Sequence, residues 1–144
     1  MNLEKLYEIS EKENIKIYNW YIEDCNGIYL NYDKINAIAL NYDEIGTYIE
    51  EKCTLAEELG HYYSNSTYKL NSDFQLRSKQ EYKAKKWSYS ILVPISLLKE
   101  KISQGLDLYD LADYFEVDCK YMIDCINFYT NKYGILAWYI YKLY

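Results

Sequence analysis

Histidine is almost missing from this chain of 144 residues: His61 is the only one. A zinc site built on several imidazoles is therefore excluded, and a serine-histidine-aspartate centre would have to pass through that one residue. Arginine is equally scarce, with Arg77 alone, and the formal net charge is -6. That balance removes the basic footprint on which an electrostatically driven nucleic-acid binder depends, and no direct nucleic-acid contact is expected. Four cysteines, Cys25, Cys53, Cys119 and Cys125, form no Cys-x-x-Cys pair, so buried free thiols are expected. The opening Met1-Asn2-Leu3-Glu4-Lys5 has no basic stretch followed by an apolar one, which a secretory signal needs. The longest apolar stretches, Ile91 to Leu98 and Ile135 to Tyr141, fall far short of the roughly 20 residues that span a bilayer. A reduced, cytoplasmic protein without a membrane anchor is the expectation.

What is present suffices for a core. Half of the residues are hydrophobic and 26% are charged, at a length that suits one domain. Tyrosine is abundant, at 20 residues. Together with many Lys, Asn and Ile and one proline, this has the character of an AT-rich coding sequence, and it assigns no function. The rings can fill a core while the hydroxyls reach water.

The pattern along the chain predicts an α+β protein, read as one domain over 1–144, with the sheet and site helices in 1–94 and a helical part in 95–144. Leu3, Leu6, Tyr7 and Ser10 share one side of a short helix that ends near Glu13. Strand-like residues follow at Ile15, Ile17 and Asn19-Trp20-Tyr21-Ile22, then a turn at Cys25-Asn26-Gly27. Ile28 to Tyr32 and Ile35 to Leu40, separated by Asp33-Lys34, read as two antiparallel strands of a small sheet. From Thr47 the period becomes helical, with Ile49, Cys53, Ala56, Leu59 and Gly60 forming a stripe that runs to about Tyr63. Ser64-Asn65-Ser66-Thr67 and a polar loop at Asn71-Ser72-Asp73 separate it from a second long helix, which Pro94 closes. Shorter helices are expected over Ser96 to Gln104, Asp107 to Phe115 and Cys119 to Tyr129, the last capped by Asp118. The final segment from Gly134 to Tyr144 is β-rich in character and could return to the sheet.

The single histidine lies in Leu55-Ala56-Glu57-Glu58-Leu59-Gly60-His61. In the zinc-binding H-E-x-x-H motif, two histidines four apart hold the ion while the intervening Glu serves as general base. Here His61 and Glu58 occupy the last His and the Glu, and Glu57 stands where the first His would be. Carboxylates also bind zinc, and positions four apart on a helix hold their Cβ atoms roughly 5–6 Å apart. A third protein ligand is needed, and Glu81 on the second long helix is the candidate. Ala84, one turn later, would let that helix approach closely.

These residues resemble the ImmA/IrrE-type metallo-endopeptidases, common in phages and integrative elements. Cys53 to Tyr63 is similar to that family's L-A-x-E-L-G-H core. Glu81-x-x-Ala84-x-x-Trp87-Ser88-x-x-x-Leu92-Val93-Pro94 is similar to its E-x-x-A-x-x-F-A-x-x-L-L-x-P. The resemblance implies a zincin-like fold with an active-site helix against a small antiparallel sheet. It further implies that His61 and Glu81 ligate zinc, with Glu57 in the place of the first His ligand, and that Glu58 activates water. Its implied substrate is a protein, typically a helix-turn-helix repressor encoded nearby on a mobile element. The alternative from a different class is a catalytically impaired relative that binds such a repressor without cutting it.

Two anionic ligands against two positive charges would polarise water less than two imidazoles do, so slower hydrolysis is expected, and Mn²⁺ becomes a credible occupant beside Zn²⁺. The stretch from Leu108 to Phe128 has a helix-turn-helix rhythm. Its second helix offers Lys120 beside Asp118 and Asp124, which suits packing or a protein partner better than phosphate.

Overall fold

The computed structural model describes residues 1–66 and 74–134. The last-segment strand expectation and the polar loop at Asn71-Ser72-Asp73 lie outside the described residues. Two compact units are present, Met1–Ser88 and Tyr89–Tyr144.

The first unit opens with α1 (Leu3–Lys12), whose first turn is fastened by the Asn2 side chain accepting from the Lys5 amide. Leu3, Leu6 and Ser10 face inward, as their spacing demands. Asn14 adopts a left-handed φ of 55°, which ends the helix and sends the chain into β1 (Lys16–Asn19). Strands β2 (Gly27–Tyr32) and β3 (Ile35–Leu40) form the expected hairpin. Asp33 and Lys34 both take left-handed φ values, 47° and 66°. Two such residues between paired Tyr32 and Ile35 make the tight turn whose twist matches antiparallel strands.

The sheet order is β1-β3-β2. The hairpin is antiparallel as expected, and a parallel β1–β3 pair joins it, so the sheet is mixed. The chain leaves β1 and returns along the far side of β3 as β2, which makes β3 the centre and, among the described residues, β2 an edge. Ile38 and Leu40 of β3 are fully buried. On the sheet's other surface Tyr18, Ile28, Leu30, Ala37 and Ala39 line an apolar groove of about 590 Å³.

Helix α2 (Tyr48–Tyr63) begins at Thr47, whose hydroxyl accepts from the Glu50 amide at 3.1 Å. Leu55, Ala56 and Leu59 are completely enclosed, and Lys52 shares that stripe with no exposed surface. Helix α3 (Phe74–Leu92) runs from the first unit into the second and stops ahead of Pro94, as the proline requires.

The second unit holds α4 (Ile95–Ser103), α5 (Leu108–Phe115) and α6 (Cys119–Tyr133). Asp118 caps α6 as expected, and the helix continues to Tyr133, ending at the left-handed Gly134. Leu98, Leu111, Met122 and Cys125 are fully buried, and the Tyr129 hydroxyl donates to the Val93 carbonyl at 2.9 Å. Asp107 and Asp110 form a reciprocal capping box at the start of α5. Asp107→Ala removes the acceptor of the Asp110 amide, so unfolding midpoints in urea should show a loss of about 1 kcal/mol. No helix among the described residues is long and apolar enough to cross a membrane.

Candidate metal centre

Helix α2 presents Glu57, Glu58 and His61 within five residues, and α3 presents Glu81 to His61. The two helices can cross closely because of Gly60. A Cβ built on it would stand 2.3 Å from the Ala84 carbonyl oxygen. Ala84 itself is fully buried at this crossing, as its small size suggests.

The His61 ring is held at both nitrogens. Nδ1 lies 2.8 Å from the Ser66 carbonyl oxygen. A carbonyl can only accept, so Nδ1 carries the hydrogen and Nε2 is the atom left to bind. Nε2 lies 3.4 Å from Glu81 Oε1. Two ligands at about 2.0–2.1 Å from a tetrahedral zinc ion stand about 3.3 Å apart, so this pair is spaced as two donors to one ion. Donating the second ring nitrogen to a backbone carbonyl is also how metal-binding imidazoles are oriented. The residues present fit a divalent ion in these two respects.

Glu58 is nine-tenths buried beside that pair. Burial pushes its carboxyl up to about 7, opposed by the His61 charge and the Tyr29 amide and reinforced by Glu57 and Glu81. Burial lowers the pKa of the His61 imidazolium, yet the hydrogen bond that the protonated ring donates to Glu81, the Glu58 charge and the Ser66 carbonyl together leave it raised. The site thus holds several titratable groups with opposing preferences, the pattern that proton transfer at neutral pH requires.

Of the four residues expected from the sequence, the structure brings His61, Glu81 and Glu58 into one cluster. Glu57 is close enough for its charge to act on Glu58. Among the described residues, no group of three or more His, Cys, Asp or Glu side chains is placed to hold a metal ion.

Strand β2 borders this cluster. The two-residue turn makes Tyr32 and Ile35 a hydrogen-bonded pair, so Ile28, Leu30 and Tyr32 direct their backbone groups at β3. Gly27, Tyr29 and Asn31 direct theirs outward. Accordingly, the Tyr29 amide reaches Glu58, and Gly27 packs so tightly on α2 that a Cβ there would lie 2.7 Å from Thr54 and 3.2 Å from Glu58.

Three contributors escaped the sequence reading: the Ser66 carbonyl, the Tyr29 amide and Cys25. The first two are backbone groups, which no residue type announces. The expectation of buried free thiols holds for Cys53 and Cys125, whereas Cys119 is intermediate and Cys25 is exposed. Its sulfur lies 2.7 Å from the Gly27 carbonyl oxygen. The signal available was the Cys25-Asn26-Gly27 turn leading straight into β2.

A short mixed sheet laid on a helix with a buried glutamate three residues before a histidine, and a second helix returning a carboxylate to that imidazole, make up a zincin-like α+β domain. The chain belongs to the Peptidase_M78 family: the model of its IrrE N-terminal-like domain matches residues 11–123, more than three quarters of the length. This is a family of zinc metallopeptidases of the IrrE and ImmA type. No curated protein and no solved structure shows significant similarity to the chain.

Proposed function

We propose that this protein is a metal-dependent endopeptidase in which His61 and Glu81 hold a divalent ion, Glu57 completes the protein ligands, and Glu58 moves the proton. The observation that carries this reading is the imidazole of His61, fixed by Ser66 at Nδ1 and facing Glu81 with Nε2 at a ligand-to-ligand spacing. Zn²⁺ suits the imidazole, and Mn²⁺ suits the carboxylates. When bound, the ion supplies Lewis-acid polarisation at the scissile carbonyl.

The remaining steps fall to the chain itself. Glu58, as a carboxylate, accepts the proton of the attacking water and returns it to the departing amine. Its burial keeps the proton affinity near neutrality, where both directions of transfer are feasible. The outward edge of β2 gives an extended peptide a backbone to pair with. Because the Tyr29 amide and Glu58 meet at that edge, a peptide lying along it passes beside the base. A protein substrate with an exposed extended segment suits this arrangement. The helix-turn-helix repressor encoded next to such genes in phages and mobile elements is the substrate we assign, in the cytoplasm.

Metal content and cleavage test this reading together. Purified protein should bind one divalent ion per chain, and His61→Ala should lower the affinity by at least about a hundredfold while the far-ultraviolet spectrum is retained. The metal-loaded protein should cut the neighbouring repressor at one site. Binding of the repressor without any cleavage would make the protein an inactive repressor-binding relative, and metal binding unchanged in His61→Ala would remove the centre altogether.

A further inference from the structure

The Cys25 thiol occupies a place that the proposed peptide would need. Gly27 and Tyr29 both turn their backbone groups outward from β2, and Tyr29 spends its amide on Glu58. Gly27 is covered differently: the Cys25 sulfur donates to its carbonyl oxygen at 2.7 Å and also lies against its amide. An incoming strand pairs through these same two groups, an N–H and a C=O of one outward-facing residue. The side chain therefore stands in for one residue of substrate backbone.

Two further facts make this more than a surface thiol. Gly27 is pinned against Thr54 and Glu58, with no room for a Cβ, so the carbonyl that Cys25 holds is fixed relative to the base. The sulfur also feels the charges of Glu58, Glu81 and Glu57, so it lies near the same cluster. Cys25 is exposed, so it can swing away.

Resting on the metallopeptidase reading above, we propose that Cys25 is a positioning residue at the substrate edge: its thiol keeps the Gly27 backbone ordered in the free protein and gives up that backbone to the extended peptide. A bulky group on the sulfur then blocks the edge without touching the metal ligands.

The test uses two zinc-directed probes on the full-length, zinc-loaded protein. Acetohydroxamate reports the metal alone, and a tripeptide hydroxamate with apolar side chains reports the metal and the edge together. Both are titrated by calorimetry before and after alkylation with N-ethylmaleimide, whose double bond takes up the sulfur and its proton. Zinc content is measured at each stage. Cys25→Ala, treated identically, controls for alkylation of Cys119. Alkylation should weaken the tripeptide probe at least about tenfold, as expected for the loss of two backbone hydrogen bonds. It should leave acetohydroxamate unchanged, and Cys25→Ala should be insensitive to the reagent.

Equal tripeptide binding before and after alkylation overturns the role of Cys25. So does weakening of both probes alike, because the adduct would then be acting at the metal, and so does a tripeptide probe no tighter than acetohydroxamate. If neither probe binds the unmodified zinc-loaded protein, the metallopeptidase reading itself fails and takes this proposal with it.

Discussion

Glu58→Gln should reduce cleavage of the repressor by about 10²–10⁴-fold in kcat, the range expected when a general base is removed, with KM little changed. A thousandfold loss corresponds to about 4 kcal/mol of transition-state stabilisation. The amide has nearly the shape of the carboxylate and can still accept from the Tyr29 amide, so the fold and the ion should remain. Metal analysis of the variant is thus the control: one ion per chain with activity lost assigns Glu58 to proton transfer. Loss of the ion together with activity would instead make it a ligand. Retention of full activity would remove it from the mechanism.

The pH profile gives the same assignment by another route. The folded carboxyl is raised from its ordinary value to about 7 by burial, and only the ionised form can accept a proton. Wild-type activity should therefore fall on the acid side as Glu58 protonates, and the positive charge of a bound ion moves that limb below 7. In metal-free protein the linkage runs the other way for stability. Between about 4.5 and 7 the folded state holds the proton that the unfolded state has released, so this group's contribution falls as pH rises through that window. His61, also raised, contributes stability below its unfolded value that is lost as pH rises through the folded one. Glu58→Gln should flatten the first of these slopes and also weaken the second, because the Glu58 charge is one of the causes that raise His61.

The elements were legible wherever a residue type carries its own constraint. Asp118 caps the helix it was expected to cap, α2 begins at Thr47 where the helical period starts, Pro94 follows the end of α3, and Asp33-Lys34 makes the hairpin turn. The candidate site was legible in its side chains, because Glu58, His61 and Glu81 are ionisable residues in a scarce and ordered pattern. The parallel pairing of β1 with β3 was not, since Ile17 and Ile28 have the same strand chemistry whichever neighbour they choose. Nor was the fixing of His61, which rests on a backbone oxygen at Ser66. Any residue there presents that oxygen, so only the path of the chain after α2 decides whether it reaches the ring. Lys52 shows the converse. Its charge reads as surface, yet it lies on the Leu55 and Leu59 stripe with no exposed area, because position on the helix overrides residue type.

Gly60→Ala should be the most damaging conservative change in the first unit. Inside an ordinary helix this substitution stabilises by about 1 kcal/mol, since alanine restricts the unfolded chain and suits the helix. Here the added methyl would meet the Ala84 carbonyl oxygen at 2.3 Å and its carbon at 2.9 Å. Both are backbone atoms in the middle of α3, so no rotamer change relieves the contact and the helices must separate. Overpacking of this kind costs about 1–3 kcal/mol and more where backbone has to move, so the clash outweighs the helical gain. A net loss of about 2–3 kcal/mol, or several degrees in Tm, is expected. The same separation draws Glu81 away from His61 Nε2, so metal affinity should fall even in the fraction that is folded. Adding Ala84→Gly should not rescue the variant, because the atom that is met is the carbonyl oxygen and not the alanine methyl. Rescue by that second change, or a Gly60→Ala protein as stable and as metal-loaded as wild type, would mean that the close crossing of α2 and α3 is not what holds the two ligands together.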